Sequence, residues 1–279
     1  MTINIPAMTA LSDFKGPLLL VGAGKMGQAM LDGWLARGLD ATKLLVLEPQ
    51  PADSVRALTA RGVALNPASP PKAAAIVIAV KPQTAPEAVA PLAAHVTSGT
   101  LVLSIMAGRT LGFLRANLPA GTALVRAMPN TPAAIGRGIS VACASGEVTA
   151  AQRALASDLL AAIGSVEWVD DESLMDAVTA LSGSGPAYVF LLAEAMAKAG
   201  VAAGLPPALA QRLARETVAG SGELMHRSAL DAATLRQNVT SPGGTTAAAL
   251  EVLLGPDGFD RLLTEAIAAA ACRSRELAG

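Results

Sequence analysis

The stretch "PLLLVGAGKMGQAM" (residues 17–30) constrains this chain more than any other. A short apolar run suited to a buried strand meets three glycines, Gly22, Gly24 and Gly27, spaced G-x-G-x-x-G, and a helix-like stretch follows. Strand, tight turn and helix in that order form the phosphate-binding turn of a parallel α/β unit. The first glycine permits the turn, the second lets a pyrophosphate approach the backbone, and the third lets helix and strand pack closely. The positive end of the helix favours the negative charge. Gly22, Gly24, Lys25, Met26 and Gly27 are therefore candidate residues for binding a dinucleotide.

The same pattern continues. "KLLVLEP", "AAAIVIAV", "TLVLSIMAG" and "TALVRAMPNTP" read as further strands, with "GISVACA" as a sixth, and helical stretches intervene. Continuous β-branched runs alternating with helices predict a parallel sheet covered on both faces. After residue 148 the character changes. "SVEWVDD" is a short strand or an extended link, and helices are expected over 172–181, 185–203, 206–227, 231–238, 245–254 and 257–276. The expected architecture is an α/β Rossmann-type N-terminal domain followed by an all-α helical C-terminal domain. Its bounds are a loose lead-in at 1–16, a dinucleotide-binding domain at 17–170 and a helical substrate domain at 171–279.

Composition removes several classes of function. The net charge is −1, aromatics are 3% and no long basic run occurs, so no nucleic-acid partner is expected. Cys143 and Cys272 form no CxxC, which excludes a zinc site or disulfide framework and fits a reducing, cytoplasmic compartment. No apolar segment is long enough to span a membrane, and the first residues lack the pattern of a signal peptide. Only 15% of residues are charged, so apolar helix surface is expected to be buried between subunits. The only histidines are His95 and His226, and neither HExxH nor GxSxG occurs, so no metal site and no serine nucleophile are expected.

On the cofactor side, Glu48 ends the second strand, 21 residues after Gly27. A carboxylate there accepts hydrogen bonds from the adenosine ribose hydroxyls and repels a 2′-phosphate, which favours NADH; Arg56 and Arg61 further on could soften the repulsion. Ala79, Val80, Lys81 and Pro82 end the third strand at the edge where an open α/β sheet exposes its ligand crevice. Asn130 and Thr131 of "MPNTP" can offer hydrogen bonds to a nicotinamide carboxamide or ribose.

The second feature is "TSPGGTT" (240–246), just before a helix-like run. Gly243 and Gly244 allow positive φ and Pro242 fixes its own. Either Thr245 or Thr246 caps the helix, or the free N–H groups of the helix start hold a carboxylate or phosphate. "ALSGSGPAY" is another glycine-rich helix start. The catalytic lysine that β-hydroxyacid dehydrogenases place four residues after the second glycine is Val189 here, which argues against alcohol oxidation. Hydride delivery to a C=N bond needs less: a flat protonated imine, an anion grip and a hydroxyl near the nitrogen.

Taken in order, "GAGKMG", "AVKPQ", "SIMAG", "RAMPNTPA", "ALSGSGPAY" and "NVTSPGGTT" resemble the pyrroline-5-carboxylate reductase family over nearly the whole chain. The resemblance implies NADPH- or NADH-dependent reduction of L-1-pyrroline-5-carboxylate to L-proline. It also implies that the C-terminal helices form a dimerisation domain, with dimers assembling into a decamer, a pentamer of dimers. By the same resemblance Ser241, Pro242, Gly243, Gly244 and Thr245 match the family's carboxylate-binding loop. Thr246 matches its hydroxyl near the ring nitrogen, the catalytic group. Two departures stand out. Many relatives have Ser or Asn where this chain has Glu48, and the region "GVALNPASPPKAAAIVIAV" between the second and third strands is shorter than in many relatives, with Asn66 the candidate stand-in there for a polar residue facing a 2′-phosphate. The alternatives are a reductase of another cyclic imino acid and a nucleotide-binding regulatory protein without turnover.

Overall fold

The computed structural model describes residues 11–278. These form two compact units, residues 11–183 together with 271–278, and residues 184–270.

The first unit is built on one eight-stranded sheet. Its elements are β1 (Leu18–Val21), α1 (Lys25–Ala36), β2 (Leu44–Leu47), α2 (Asp53–Ala57), β3 (Ala64–Leu65), β4 (Ala75–Ile78), α3 (Ala85–Val89), β5 (Leu101–Ser104), α4 (Leu111–Asn117), β6 (Ala123–Met128), β7 (Gly138–Ala144), α5 (Ala150–Ala161), β8 (Gly164–Trp168) and α6 (Met175–Val178). The spatial order is β3-β2-β1-β4-β5-β6-β7-β8. Neighbours from β3 to β6 are parallel, β7 runs antiparallel to β6, and β8 runs parallel to β7.

The period of two along each strand divides the core between the two faces. Leu18, Leu20, Leu44, Val46, Ala75, Val77, Leu101 and Leu103 face one hydrophobic cluster, which α1 and α5 close with Met30, Trp34 and Leu159. Leu19, Val21, Leu45, Ile76, Ile78 and Val102 face the other, with Val89, Leu92 and Leu114. Both faces are covered, so the strands read as unbroken apolar runs. Trp34 is fully buried, and its indole N–H donates to the Leu159 carbonyl at 2.9 Å, fixing α1 against α5.

Three expectations change. Part of the expected lead-in is core: Leu11 and Phe14 are buried, the Leu11 N–H donates to the Arg37 carbonyl, and Lys43 Nζ donates to the Phe14 carbonyl at 2.6 Å. The rest of that lead-in, residues 1–10, lies outside the described residues. The sheet is mixed, because β7 enters antiparallel, and "SVEW" is its edge strand. The expected helix over 172–181 is a 3₁₀ turn (Glu172–Leu174), then α6, then a π turn (Thr179–Gly183). That segment packs with the sheet unit, whose compact division from the helices falls at 183/184. Glu172 explains the attachment: its Oε1 accepts from Arg126 Nη1 at 2.9 Å and from the Leu111 N–H at 2.8 Å.

The second unit is helical: α7 (Gly185–Ala202), α8 (Pro207–Arg227), α9 (Ala232–Asn238), α10 (Thr245–Leu253) and most of α11 (Phe259–Ala278). α7 ends at Gly204, φ 99°, whose N–H donates to the Val201 carbonyl while the Leu205 N–H reaches the Gly200 carbonyl. This is the Schellman arrangement, and Pro206 and Pro207 then turn the chain into α8. Small residues bring the two helices together, with Ala210 and Ala214 buried. α7 itself buries no residue.

Candidate active site

In the sheet unit the site begins at the carboxyl end of β1. The Gly22 N–H donates to the Leu47 carbonyl at 2.8 Å and the Ala79 N–H to the Val21 carbonyl at 2.7 Å, so three strand ends are drawn together. Gly22 takes φ 92°, and a Cβ there would stand 2.8 Å from the Ala79 carbonyl. A Cβ on Gly27 would collide with the Gly22 carbonyl oxygen. Space above Gly24 is open by contrast: nothing lies within 4 Å of where its side chain would begin. Gly24 is the N-cap of α1 and no side chain caps the helix, so the N–H groups of Lys25, Met26 and Gly27 belong to an uncapped first turn. An open, uncapped helix start behind a strand is a cradle that fits a dinucleotide pyrophosphate.

Glu48 follows β2 and borders this cradle. Its Oε2 accepts the Ala23 N–H at 2.8 Å and its Oε1 the Gln50 N–H at 3.0 Å. Asn66, offered by the sequence as a contact for a 2′-phosphate, is employed otherwise. Its Oδ1 accepts the Glu48 N–H and its Nδ2 donates to the Glu48 carbonyl, both at 2.9 Å. Ala79, Val80, Lys81 and Pro82 follow β4, with Lys81 exposed. Asn130 follows β6, and its Oδ1 accepts the Ile139 N–H at 3.0 Å, so it also pins the start of β7.

Two contributors went unread in the sequence. Arg109 donates from Nε and Nη2 to the Pro82 carbonyl at 3.1 and 2.9 Å and lies 4.9 Å from the Phe113 ring, which latches the turn after β4 to the turn after β5. The Arg126–Glu172 pair braces the sheet, with Arg126 buried. The only signal for Arg109 was its place just beyond "SIMAG", a lone cation at a strand end. Cys143 lies opposite Arg126 across β6 and β7, and its thiol is pushed up to about 11, by burial first and by the Glu172 carboxylate second. It is inert at neutral pH. The His95 carbonyl accepts the Ala73 N–H just before β4, which puts His95 at the amino end of the strands, away from the cradle. Among the described residues no group of His, Cys, Asp or Glu is placed to hold a metal ion.

In the helical unit, Ser241 to Gly244 close a turn in which the Gly244 N–H donates to the Ser241 carbonyl at 3.0 Å. Pro242 precedes Gly243 at φ 67°, the pattern of a type II turn. Gly244, not Thr245 or Thr246, is the N-cap of α10, and no side chain caps it. Of the two readings left open by the sequence, threonine capping is therefore not what the chain adopts. Ser241, Pro242, Gly243 and Thr245 are exposed and Thr246 is half-buried. Nearby, Thr240 Oγ1 donates to the Arg236 carbonyl at 2.7 Å and closes α9. The first-turn N–H groups of α10 thus form a donor set of the kind that grips a carboxylate.

Residues 172–277 match the family model "Pyrroline-5-carboxylate reductase dimerisation", and residues 18–108 match "NADP oxidoreductase coenzyme F420-dependent". The pyrroline-5-carboxylate reductase of Pseudomonas aeruginosa is 39% identical over 94% of this chain and 96% of its own. That of Synechocystis is 41% identical over 92% and 97%. The solved structure of the Coxiella burnetii enzyme superposes with a TM-score of 0.87 at 32% identity, over 95% of this chain and 99% of that one. The Plasmodium falciparum enzyme, solved with NADP bound, superposes with a TM-score of 0.78 at 28% identity. An uncapped glycine cradle at the parallel strands of the sheet, a Ser-Pro-Gly-Gly turn opening a helix, and these relatives agree: the chain belongs to the pyrroline-5-carboxylate reductase family.

Proposed function

We propose that this chain reduces L-1-pyrroline-5-carboxylate to L-proline with NAD(P)H. The observation that carries the reading is the start of α10 behind the Ser241–Gly244 turn, a set of first-turn N–H groups that no side chain caps among the described residues, in a chain of this family. Gly22, Gly24, Lys25, Met26 and Gly27 hold the dinucleotide pyrophosphate, and Glu48 holds the adenosine ribose. Ala79, Val80, Lys81, Pro82 and Asn130 border the nicotinamide half. A reduced nicotinamide bound there supplies a hydride to the imine carbon. N–H groups of Gly243, Thr245 and Thr246 hold the substrate carboxylate, with Ser241, Pro242 and Gly244, whose own N–H closes the turn on the Ser241 carbonyl, shaping the loop. Thr246 Oγ1 hydrogen-bonds the ring nitrogen, which keeps the proton that makes the C=N bond electrophilic and leaves as the secondary amine of proline.

The helical unit carries apolar side chains in the open, among them Phe190 at 68% and Val252 at 76% exposure. A surface of this kind belongs in an interface. We assign it to a homodimer, with a pentamer of dimers as the larger assembly, in the cytoplasm. Among the described residues no helix is long and apolar enough to cross a membrane.

The carboxylate grip is tested by comparing pyrroline-5-carboxylate with 1-pyrroline, which lacks the carboxylate, and with the six-membered cyclic imino acid. The reading expects kcat/KM to fall at least about a hundredfold without the carboxylate, near 2.7 kcal/mol. Equal rates with and without it would remove the loop from the mechanism, and preference for the larger ring would move the function to another cyclic imine.

A further inference from the structure

We propose that Asn66 is a positioning residue for cofactor choice: it fixes the end of β2 so that the Glu48 carboxylate occupies the ground a 2′-phosphate would need, making the chain selective for NADH. The proposal rests on the dinucleotide reading of the glycine loop and not on the identity of the imine.

The backbone geometry is specific. β3 pairs with β2 over only two residues, Leu45 with Ala64 and Val46 with Leu65. The Asn66 N–H continues the ladder by donating to the Val46 carbonyl at 2.8 Å. The chain then turns at Asn66, φ 48°, the only residue other than glycine with positive φ among the described residues. Asparagine tolerates this left-handed conformation better than most residues. Its side-chain amide takes over as a surrogate peptide, accepting from the Glu48 N–H and donating to the Glu48 carbonyl. The pairing of β2 is thereby extended through Glu48 after β3 has ended.

The consequence falls on the carboxylate. With the Glu48 backbone held at both polar groups, Oε2 meets the Ala23 N–H of the glycine loop at 2.8 Å. Ala23 lies between the first two glycines, so the carboxylate stands at the rim of the cradle where an adenosine ribose is bound in this fold. Vicinal ribose hydroxyls donate to a carboxylate; a phosphate dianion brings only acceptors and like charge. Among the described residues Glu48 forms no ion pair. Burial pushes the Asp32 carboxyl above the usual carboxylate range, and the Arg61 charge acts in part against that push.

The test uses non-reacting halves of the cofactors. ADP-ribose and 2′-phospho-ADP-ribose are titrated calorimetrically into the full chain and into Glu48→Ser, Asn66→Ala and Asn66→Asp. The native chain is expected to bind ADP-ribose at least about tenfold more tightly, equivalent to about 1.4 kcal/mol. Glu48→Ser is expected to level or invert the ratio. Asn66→Ala is expected to narrow it while kcat at saturating NADH stays unchanged, a pattern that mere loss of stability does not produce. Asn66→Asp keeps the tolerance for positive φ but loses the Nδ2 donor, so it should narrow the ratio too, and it serves if the alanine variant does not fold. A native ratio near one or in favour of the phosphorylated form, or a ratio that both Asn66 variants leave unchanged, would overturn the proposal without touching imine reduction. Failure of the native chain to bind either compound would overturn it together with the dinucleotide reading.

Discussion

The sheet unit and the helical unit are stabilised in different ways. Every strand from β1 to β5, apart from the two-residue β3, is buried or nearly so along its length, and two hydrophobic clusters close over its faces. In the helical unit α7, α9 and α10 bury nothing, and α8 buries only alanines. The sequence is apolar in both, so hydrophobicity alone does not distinguish them. What differs is where the complement lies: within the unit for the sheet and, on the homodimer proposed above, in another subunit for the helices. A side chain in the first should matter to folding; in the second, to assembly and substrate.

Four substitutions test that contrast. The largest effect is expected at Trp34, fully buried with its indole N–H satisfied. Trp34→Ala should cost about 3–5 kcal/mol of unfolding free energy in denaturant, and a loss below about 1 kcal/mol would mean the core is less complete than described. Next is Phe190→Asp, at an exposed position of α7. In an isolated subunit it would change stability by no more than about 0.5 kcal/mol. With α7 in an interface it should weaken association by about 2–4 kcal/mol, seen as a lower mass by light scattering. An unchanged mass would separate this face from the dimer.

Thr246→Ala follows. Thr246 lies in the first turn of α10, where no side chain caps the helix and no residue is buried. The melting temperature should hold while kcat falls or KM rises roughly tenfold or more, about 1.4 kcal/mol. Unchanged kinetics would end Thr246's role. The last effect appears only at alkaline pH and concerns Cys143 in the sheet core. Its thiol is raised to about 11, so the folded state holds the proton more tightly than an unfolded chain does. The stabilisation is complete below the unfolded value near 9 and is lost as pH climbs through about 11. Cys143→Ala should therefore flatten the fall in stability across that window, by about 1–3 kcal/mol. A fall of the same size in both proteins would place the titrating group elsewhere.

Much of this was legible from residues. Unbroken apolar runs announce strands covered on both faces, and the spacing of Gly22, Gly24 and Gly27 announces the cradle. Hydropathy carries no strand direction, so the antiparallel entry of β7 was unreadable. At β8 only Glu167 and Ser165 are exposed, and five residues at a sheet edge look like a link. The irregular turns over 172–183 were hidden for another reason: their course is set by Glu172 reaching Arg126 and Leu111, a contact across more than forty residues. Asn66 shows the same limit. Its polarity was visible and suggested a ligand, whereas a left-handed asparagine completing a strand ladder depends on where β2 and β3 stop. In "TSPGGTT" the turn and the helix start were both readable, but which residue takes the cap position is set by the turn geometry, which gives it to Gly244 and leaves the threonines uninvolved in it.

The most direct test of the central claim is product analysis in the presence of pyrroline-5-carboxylate and reduced dinucleotide, following the loss of the nicotinamide absorbance band while proline is measured chromatographically. Imine-dependent oxidation of the dinucleotide is expected, with one proline formed for each hydride consumed. Folded, dinucleotide-binding protein that oxidises neither NADH nor NADPH when the imine is added would contradict it.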